Sequence, residues 1–186
     1  TQSRSSAASD VYKRQDLSFT QKMIQEGLVF FRSISITEPF KKIDLHSLIE
    51  SVCDDAKESG HDISYQSEIH SPVLGNIESL RRCLTNIIDN AVKYGKFAHV
   101  SGKEVDHKAI ITITDGGKGI PEAQMEAVFE PFKRLEHSRS RDSGGTGLGL
   151  TIARIIVLKH GGSIKLSNAH EKDLGLVVTL TFPLGD

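Results

Sequence analysis

The stretch DSGGTGLGLTIARIIVLKHGG, Asp142 to Gly162, sets glycines at 144, 145, 147 and 149 directly ahead of an apolar helical pattern. Glycines at this density mark a turn, or a backbone that a neighbour approaches closely. Leu150, Ile152, Ala153, Ile156, Val157 and Lys159 follow at helical spacing with one apolar side, and the pattern ends at Gly161 and Gly162. A helix entered through glycines leaves backbone N–H groups and its positive end facing outward, which suits an anion. A surface loop running into a core helix satisfies the same residues. The stretch therefore requires a fold that buries this helix, and leaves the purpose of its entry open.

The 186 residues suffice for one good-sized core with an appended element. A net charge of −1 and a pI of about 6.7 offer no basic excess for nucleic acid or an anionic membrane. The longest apolar runs, AIITIT and LVVTLTFPL, are strand-sized and fall well short of the ~18 residues of a membrane helix. No segment reads as a signal peptide. Cys53 and Cys83 have no metal or redox spacing and read as small apolar residues in helices, as suits a reducing cytosol. Residues 1–15, TQSRSSAASDVYKRQ, are polar and pattern-free and are set aside as a tail or an artefactual segment.

From Asp16 to about Ser35 the pattern is helical, with Leu17, Ile24, Leu28 and Phe31 on one stripe that a single helix cannot bury alone. Glu38-Pro39 ends it. The periodicities then predict a short strand at Lys41–Leu45, a helix at Leu45–Ser59, and strands at Asp62–Ser67 and Pro72–Leu74. A long helix follows from Ile77 to Tyr94, then strands at Ala98–Val105 and Ala109–Thr114 and a short helix at Glu122–Phe129. After the glycine-led helix come strands at Ser163–Asn168 and Gly175–Pro183. This order of elements predicts an α+β two-layer sandwich, a mixed sheet with helices on one face.

Three constellations carry chemistry. In RRCLTNIIDNAVKYG, at about 100° per residue, Asn86, Asn90 and Lys93 fall within an arc of ~60°, opposite Leu84, Ile87, Ile88, Ala91 and Val92. Asn is a poor helix-interior residue. Its carbonyl suits magnesium that keeps waters and bridges phosphates, and a Lys ammonium suits a phosphate; a solvated polar face is the plainer alternative. In ITITDGGKGIPE a strand delivers Asp115 to its end, followed at once by Gly116, Gly117 and Gly119. That carboxylate can accept from an exocyclic amine while glycines let a flat ring approach, although an Asp-Gly turn is common punctuation. In the third, VFEPFKRLEHSRSRDSGGTGLGLTI, about twenty residues poor in apolar content join two ordered elements, a length typical of lids and binding loops. Phe129 and Phe132 are its candidate anchors, and Lys133, Arg134, Arg139 and Arg141 its candidate phosphate partners.

The ordered set Asn-x-x-x-Asn-x-x-Lys-Tyr, Asp-x-Gly-x-Gly-Ile, Phe-x-x-Phe-Lys-Arg and Gly-Thr-Gly-Leu-Gly-Leu resembles the ATP-binding catalytic domain of bacterial sensor histidine kinases. That domain belongs to the superfamily shared with DNA gyrase, the MutL repair ATPases and the heat-shock ATPase chaperones. The resemblance covers Phe40 to Leu184 and implies a Bergerat-type fold over residues 39–186, with residues 16–38 as the end of a dimerisation hairpin and its linker. It implies ATP and Mg2+ as cofactors. Asp115 would receive the adenine amine, Gly117, Gly119 and Ile120 would shape the base pocket, and Tyr94 and Phe132 would line the nucleotide. Asn90, with Asn86, would hold magnesium. Asn86, Lys93 and Arg134 would serve phosphoryl transfer, and Thr146, Gly147, Leu148 and Gly149 would cradle phosphates through backbone N–H groups. Gly116, where many relatives carry Asp or Asn, implies a looser loop without loss of nucleotide binding.

The same resemblance implies as partners a phosphoacceptor hairpin in a homodimer of the full-length protein and a response-regulator receiver domain. No nucleic acid is expected, nor any membrane contact by this segment, which would be the cytoplasmic part of an inner-membrane protein. None of the eight histidines stands in the family's acceptor context, so the acceptor is expected upstream of this sequence, with any sensor and membrane helices. An anti-sigma-factor-type serine kinase or a gyrase/MutL-type ATPase domain would share the fold. The hairpin-like segment before Phe40 favours the sensor kinase.

Overall fold

The computed structural model describes residues 39–135, 145–171 and 174–185, together with helical positions 21, 24, 25, 27 and 28. Ile24 and Leu28 of the N-terminal stripe are both more than half exposed. Leu17 and Phe31, like residues 1–15, lie outside the described residues.

Strand β1 (Lys41–Ile43) leads into helix α1 (Leu45–Glu58), then β2 (Asp62–Glu68), β3 (Val73–Gly75) and helix α2 (Ile77–Gly95). The hairpin β4 (Phe97–Val105) and β5 (Lys108–Asp115) follows, then helix α3 (Gly149–Lys159), β6 (Ser163–Asn168) and β7 (Leu176–Pro183). The strands form a five-stranded sheet in the order β2-β4-β5-β7-β6 and a separate β1-β3 pair. Within the larger sheet β2 and β4 run parallel and the other neighbours antiparallel.

Alternation decides which side of the sheet is covered. Ile63, Ala98, Val100, Ala109, Ile111, Ile113, Val178, Leu180 and Phe182 point to one side and join Leu48, Ile49, Leu84, Ile87, Ile88, Ile152 and Ile156 of the helices in a single core. The opposite side carries register rows such as Ser64, His99, Thr114, Val177 and Ser167. The two-layer sandwich predicted from the element order is the observed architecture. Cys53 and Cys83 are buried and free in α1 and α2, and their thiols are pushed up, by burial above all, to about 11 and about 12.

Two helix starts are sealed by their own sequence. Asp44 caps α1, accepting from the Ser47 N–H at 3.1 Å and the Ser47 hydroxyl at 2.8 Å. Asn76 caps α2 by accepting from the Ser79 N–H at 2.8 Å. Leu148, the N-cap of helix α3, makes no side-chain cap, so the first N–H groups of that helix are left for another partner. The cap on α1 also corrects one boundary, since Leu45 belongs to the helix and not to β1. The helix expected over Glu122–Phe129 is instead two 3-10 turns, Glu122–Gln124 and Ala127–Phe129. Only Val128 and Phe129 of this stretch are buried, too few apolar anchors to hold a regular helix together.

Helix α3 ends at His160, which is 4 % exposed. Its Nε2 accepts from the Asn76 N–H at 3.0 Å and its Nδ1 donates to the Ile156 carbonyl at 2.7 Å. One neutral tautomer satisfies both bonds, whereas a proton on Nε2 would face a donor. The ring stacks on Phe40 at 4.7 Å and meets Phe182 edge-on. His160 thus joins the linker side, the α2 cap and the end of α3. Burial holds its pKa below the ordinary value against the Ile156 bond, which raises it. A depressed folded pKa gives stability that is present above the unfolded value of ~6.5 and is lost as the pH falls through the folded one. The melting temperature of wild type should therefore fall progressively below about pH 6.5, and His160→Gln should flatten that dependence. His160→Ala, which orphans the Asn76 N–H, should cost about 1–3 kcal/mol at neutral pH.

Candidate functional site

Strand alternation puts Asp115, at the end of β5, on the same side as Ile111 and Ile113, so a carboxylate enters the helix-facing layer at 6 % exposure. Its Oδ1 accepts from the Gly117 N–H at 2.8 Å and the Leu176 N–H at 3.0 Å, and its carbonyl accepts from the Gly175 N–H at 2.6 Å. Oδ2 accepts nothing among the described residues. Burial raises the Asp115 pKa, opposed by the Gly117 and Leu176 bonds. The backbone crowds this group from three sides. A Cβ on Gly95 would lie 2.5 Å from that of Asp115, one on Gly175 2.5 Å from Oδ1, and one on Gly117 3.0 Å from Oδ1. The result is a buried acceptor with one open oxygen beside a side-chain-free loop.

Gly116 corrects the expectation of a looser loop. A side chain there would overlap the Phe97 ring and come 2.9 Å from the Gly95 carbonyl. Glycine at this position admits an aromatic ring against the backbone. Close packing is what it provides.

The second half of the site lies farther up α2. The predicted polar face is real: Leu80, Cys83, Leu84, Ile87, Ile88 and Ala91 are buried, Asn86 and Asn90 half-buried, Lys93 and Tyr94 exposed. Asn86 donates through Nδ2 to the Gly149 carbonyl at 3.3 Å. A Cβ on Gly149 would lie 3.5 Å from Asn90 Nδ2, so both amides border the uncapped start of α3. The Asn90 side chain forms no hydrogen bond among the described residues, and the Lys93 ammonium sits 5.0 Å over the Tyr94 ring.

The third part is the entry to α3. Gly147 has φ +80°, and a Cβ on it would come 2.8 Å from the Phe132 carbonyl carbon and 2.9 Å from Lys133 O. The Phe132 N–H donates to the Gly147 carbonyl at 3.1 Å, with Phe132 itself at φ +63°. Phe129 is buried under the Arg154 guanidinium at 4.7 Å and anchors this region; Phe132 is 56 % exposed and does not. Lys133 pairs with Glu130 at 3.2 Å. Thr146 is buried and Leu148 is wholly in the core, so Leu148 contributes only backbone to the cleft. Arg134 is half-buried beside the end of the described segment; Arg139, Arg141 and Gly144 lie outside the described residues.

The structure brings Asp115, Gly117 and the Tyr94–Gly95 backbone together at one end, and Asn86, Asn90 and Gly149 at the other. Helix α2 connects them over nine residues, about 13 Å of helix rise. Ile120 and Gly119 are held from outside by Asn168, whose Oδ1 accepts from the Ile120 N–H at 2.9 Å and whose Nδ2 donates to the Ile120 carbonyl at 2.8 Å. Sequence reasoning missed Asn168, Gly175 and Leu176, which are distant in the chain and carry no motif. It also missed Gly95, which the KYG ending of the helix did offer. Two concavities of about 340 and 300 Å³ lie elsewhere, on the outer sheet face around Ser64 and His99 and beside β1 around Ile43 and Ile77, and neither includes a residue of this cleft. No group of three or more His, Cys, Asp or Glu that would hold a metal is present among the described residues.

A two-layer sandwich with a buried strand-end carboxylate, an Asn-bearing helix and a glycine-led helix start defines an ATPase-type fold. The family described as histidine kinase-, DNA gyrase B-, and HSP90-like ATPase matches residues 75–186, and the chain belongs to that family. It is 33 % identical to the sensor histidine kinase GtrS of Pseudomonas aeruginosa across 90 % of this chain and 34 % of that protein. The chain thus spans about a third of that relative's length. Among solved structures, the mycobacterial sensor histidine kinase MprB superposes with a TM-score of 0.66 at 26 % identity, covering 78 % of this chain and 97 % of that one. The ATP binding domain of PrrB from Mycobacterium tuberculosis gives 0.65 at 25 % identity, covering 80 % and 100 %.

Gly147→Ala tests the geometry at the entry to α3. The substituted residue would need φ +80° and would press on the Phe132–Lys133 backbone. Chemical denaturation should show a loss of about 1–3 kcal/mol, and an unchanged midpoint would mean the entry adopts another conformation in solution.

Proposed function

We propose that the chain is the ATP-binding catalytic part of a two-component sensor histidine kinase. The observation that carries this reading is the buried Asp115 carboxylate with one open oxygen, beside a loop whose Gly117 and Gly119 are closely approached by neighbouring atoms. An exocyclic amine is the donor such an oxygen selects, because in a buried setting the hydrogen bond to a charged acceptor is strong. ATP is the ligand we assign to the remainder of the cleft. The uncapped start of α3 takes phosphate oxygens on backbone N–H groups of Gly147, Leu148 and Gly149, with Thr146 beside them. Tyr94, Ile120 and Phe132 border the nucleotide.

Asn90 would hold Mg2+ through its amide oxygen, assisted by Asn86, and the ion when bound would neutralise phosphate charge. The half-buried amide of Asn90 next to Gly149, unbonded among the described residues, supports this placement. Lys93 and Arg134 supply positive charge toward the phosphates. The phosphoryl acceptor is a histidine on a dimerisation hairpin in a homodimer of the full-length protein, and the product is relayed to a receiver domain. The names of the relatives support the sensor-kinase role over an anti-sigma kinase or a gyrase-type ATPase. Residues 16–38 fit the end of such a hairpin and residues 39–186 the catalytic domain. No helix among the described residues is long and apolar enough to cross a membrane. We place the segment on the cytoplasmic side of an inner-membrane protein.

Fluorescent-nucleotide titration tests the assignment. Asp115→Asn should weaken ATP and ADP binding by about 1.5–3 kcal/mol. The apo variant should also gain stability relative to wild type as the pH rises. Wild type carries a carboxylate with a raised folded pKa, and so loses stability as the pH climbs through that value. Equal nucleotide affinity in the variant would overturn the assignment. Asn90→Ala should abolish the magnesium dependence of ATP binding with the fold intact; an unaltered EDTA response would make Asn90 a plain surface amide. With radiolabelled ATP, acid-labile label should appear on a full dimerisation hairpin added in trans and not on this chain. Label on this chain alone would show that one of its eight histidines is an acceptor.

A further inference from the structure

Residues 116–120 leave the buried carboxylate without forming a strand or helix, yet both ends of the loop are held. At its start the Gly117 N–H is bonded to Asp115 Oδ1. At its end Ile120 meets the side chain of Asn168, the last residue of β6, which accepts its N–H at 2.9 Å and donates to its carbonyl at 2.8 Å. A side-chain amide here takes the place of a neighbouring strand. Among side chains of this length only a carboxamide offers a donor and an acceptor in one plane at that spacing.

Two further observations tie Asn168 to the site. Gly119 has φ +68°, and a Cβ on it would overlap Asn168 Oδ1. The glycine of the loop and the amide of β6 are therefore fitted to each other. Just beyond Asn168, the Ala169 N–H donates to the Gly175 carbonyl at 2.8 Å, and the Gly175 N–H donates to the Asp115 carbonyl at 2.6 Å. The chain from Asn168 to Leu176 thus grips both ends of the loop, Ile120 through Asn168 and Asp115 through Gly175 and Leu176.

We infer that Asn168 is a positioning residue of the nucleotide site, setting the shape of the loop that borders the base without itself touching the ligand. This rests on the nucleotide reading given above. A side-chain clamp of this kind acts on ligand affinity through pre-organisation, since a loop already held in its bound shape loses less freedom on binding.

The test compares wild type, Asn168→Ala, Asn168→Asp and Asp115→Asn by calorimetric titration with ATP, ADP and AMP, with melting curves to follow the fold. Asn168→Ala should weaken all three nucleotides by a common factor of about tenfold, because the loop borders the base and not the phosphates. Asn168→Asp should bind poorly at pH 8, where a carboxylate oxygen takes the place of the Nδ2 donor and faces the Ile120 carbonyl. It should recover toward wild type only as the pH falls to about 4, the ordinary aspartate range, where a protonated carboxyl regains a donor; the wild-type value at each pH corrects for the titration of Asp115. Binding of Asn168→Ala within twofold of wild type would overturn the inference, as would weakening confined to ATP or an Asn168→Asp affinity that does not respond to pH. If Asn168→Ala melts too low to assay, the pH recovery of Asn168→Asp decides. Should Asp115→Asn also bind like wild type, the base-pocket reading itself fails. If Asp115→Asn loses affinity and Asn168→Ala keeps it, only the role of Asn168 falls.

Discussion

The carboxylate of Asp115 is the constraint around which this domain is arranged. Strand alternation drives it into the layer between sheet and helices, where a charge is costly unless it is bonded. The fold answers with N–H groups from Gly117 and Leu176 on one oxygen, and a Gly175 N–H on the adjoining carbonyl. Three N–H donors from two separate segments can converge only if no side chain intervenes, and so Gly95, Gly117 and Gly175 surround it. These bonds do not fully offset burial, since the pKa stays raised. On the reading proposed above, a ligand donor would complete the bonding of the remaining carboxylate oxygen, which accepts nothing among the described residues.

Helix α2 transmits this arrangement along the cleft. Its buried face is continuous from Leu80 to Gly95 and packs on the sheet, which fixes both its rotation and its height. The rotation aims Asn86 and Asn90 at Gly149, and the height brings Gly95 against Asp115. The spacing between the Asp115 end and the Asn86–Asn90 end of the cleft is therefore set by hydrophobic packing and not by the loops. The same helix is capped by Asn76, whose N–H is bonded to His160 at the far end of α3. The two helices that flank the cleft are thus joined at the side away from it, and Phe40 rests on that junction.

Much of this was readable in the chain. Strands alternate or run apolar, helices show one apolar side, and the predicted strands and the helices at Leu45–Ser59 and Ile77–Tyr94 occur within a residue or two of their observed bounds. The Asn86–Asn90–Lys93 face followed from helical geometry alone, because solvent and core impose opposite demands on a cylinder. The misses share a cause. The 3-10 turns at Glu122–Phe129 and the role of Gly116 depend on what packs nearby, on Val128 and Phe129 in one case and the Phe97 ring in the other. Asn168 bonds across 48 residues of sequence and looks like any strand-end amide. Local periodicity cannot report such pairings, since they arise only once the sheet has placed β6 beside the loop.

The distribution of caps separates structural demands from functional ones within a single fold. Helices α1 and α2 begin with side chains that satisfy their own first turns, and nothing in their starts invites a ligand. Helix α3 is more apolar and deeply buried, with Leu148, Ala153 and Val157 wholly in the core, so packing holds it without help from a cap. It can therefore leave its N-terminus open where α1 and α2 close theirs. Gly147 at φ +80° brings the chain into that start without a side chain in the way, and the half-buried amides of Asn86 and Asn90 stand opposite. The openings at Asp115, at Asn90 and at the start of α3 all border α2. A fold with no ligand to bind would gain stability by closing any one of them. That all three face one cleft is the physical argument for reading it as a single site for an elongated anion with a flat, amine-bearing head.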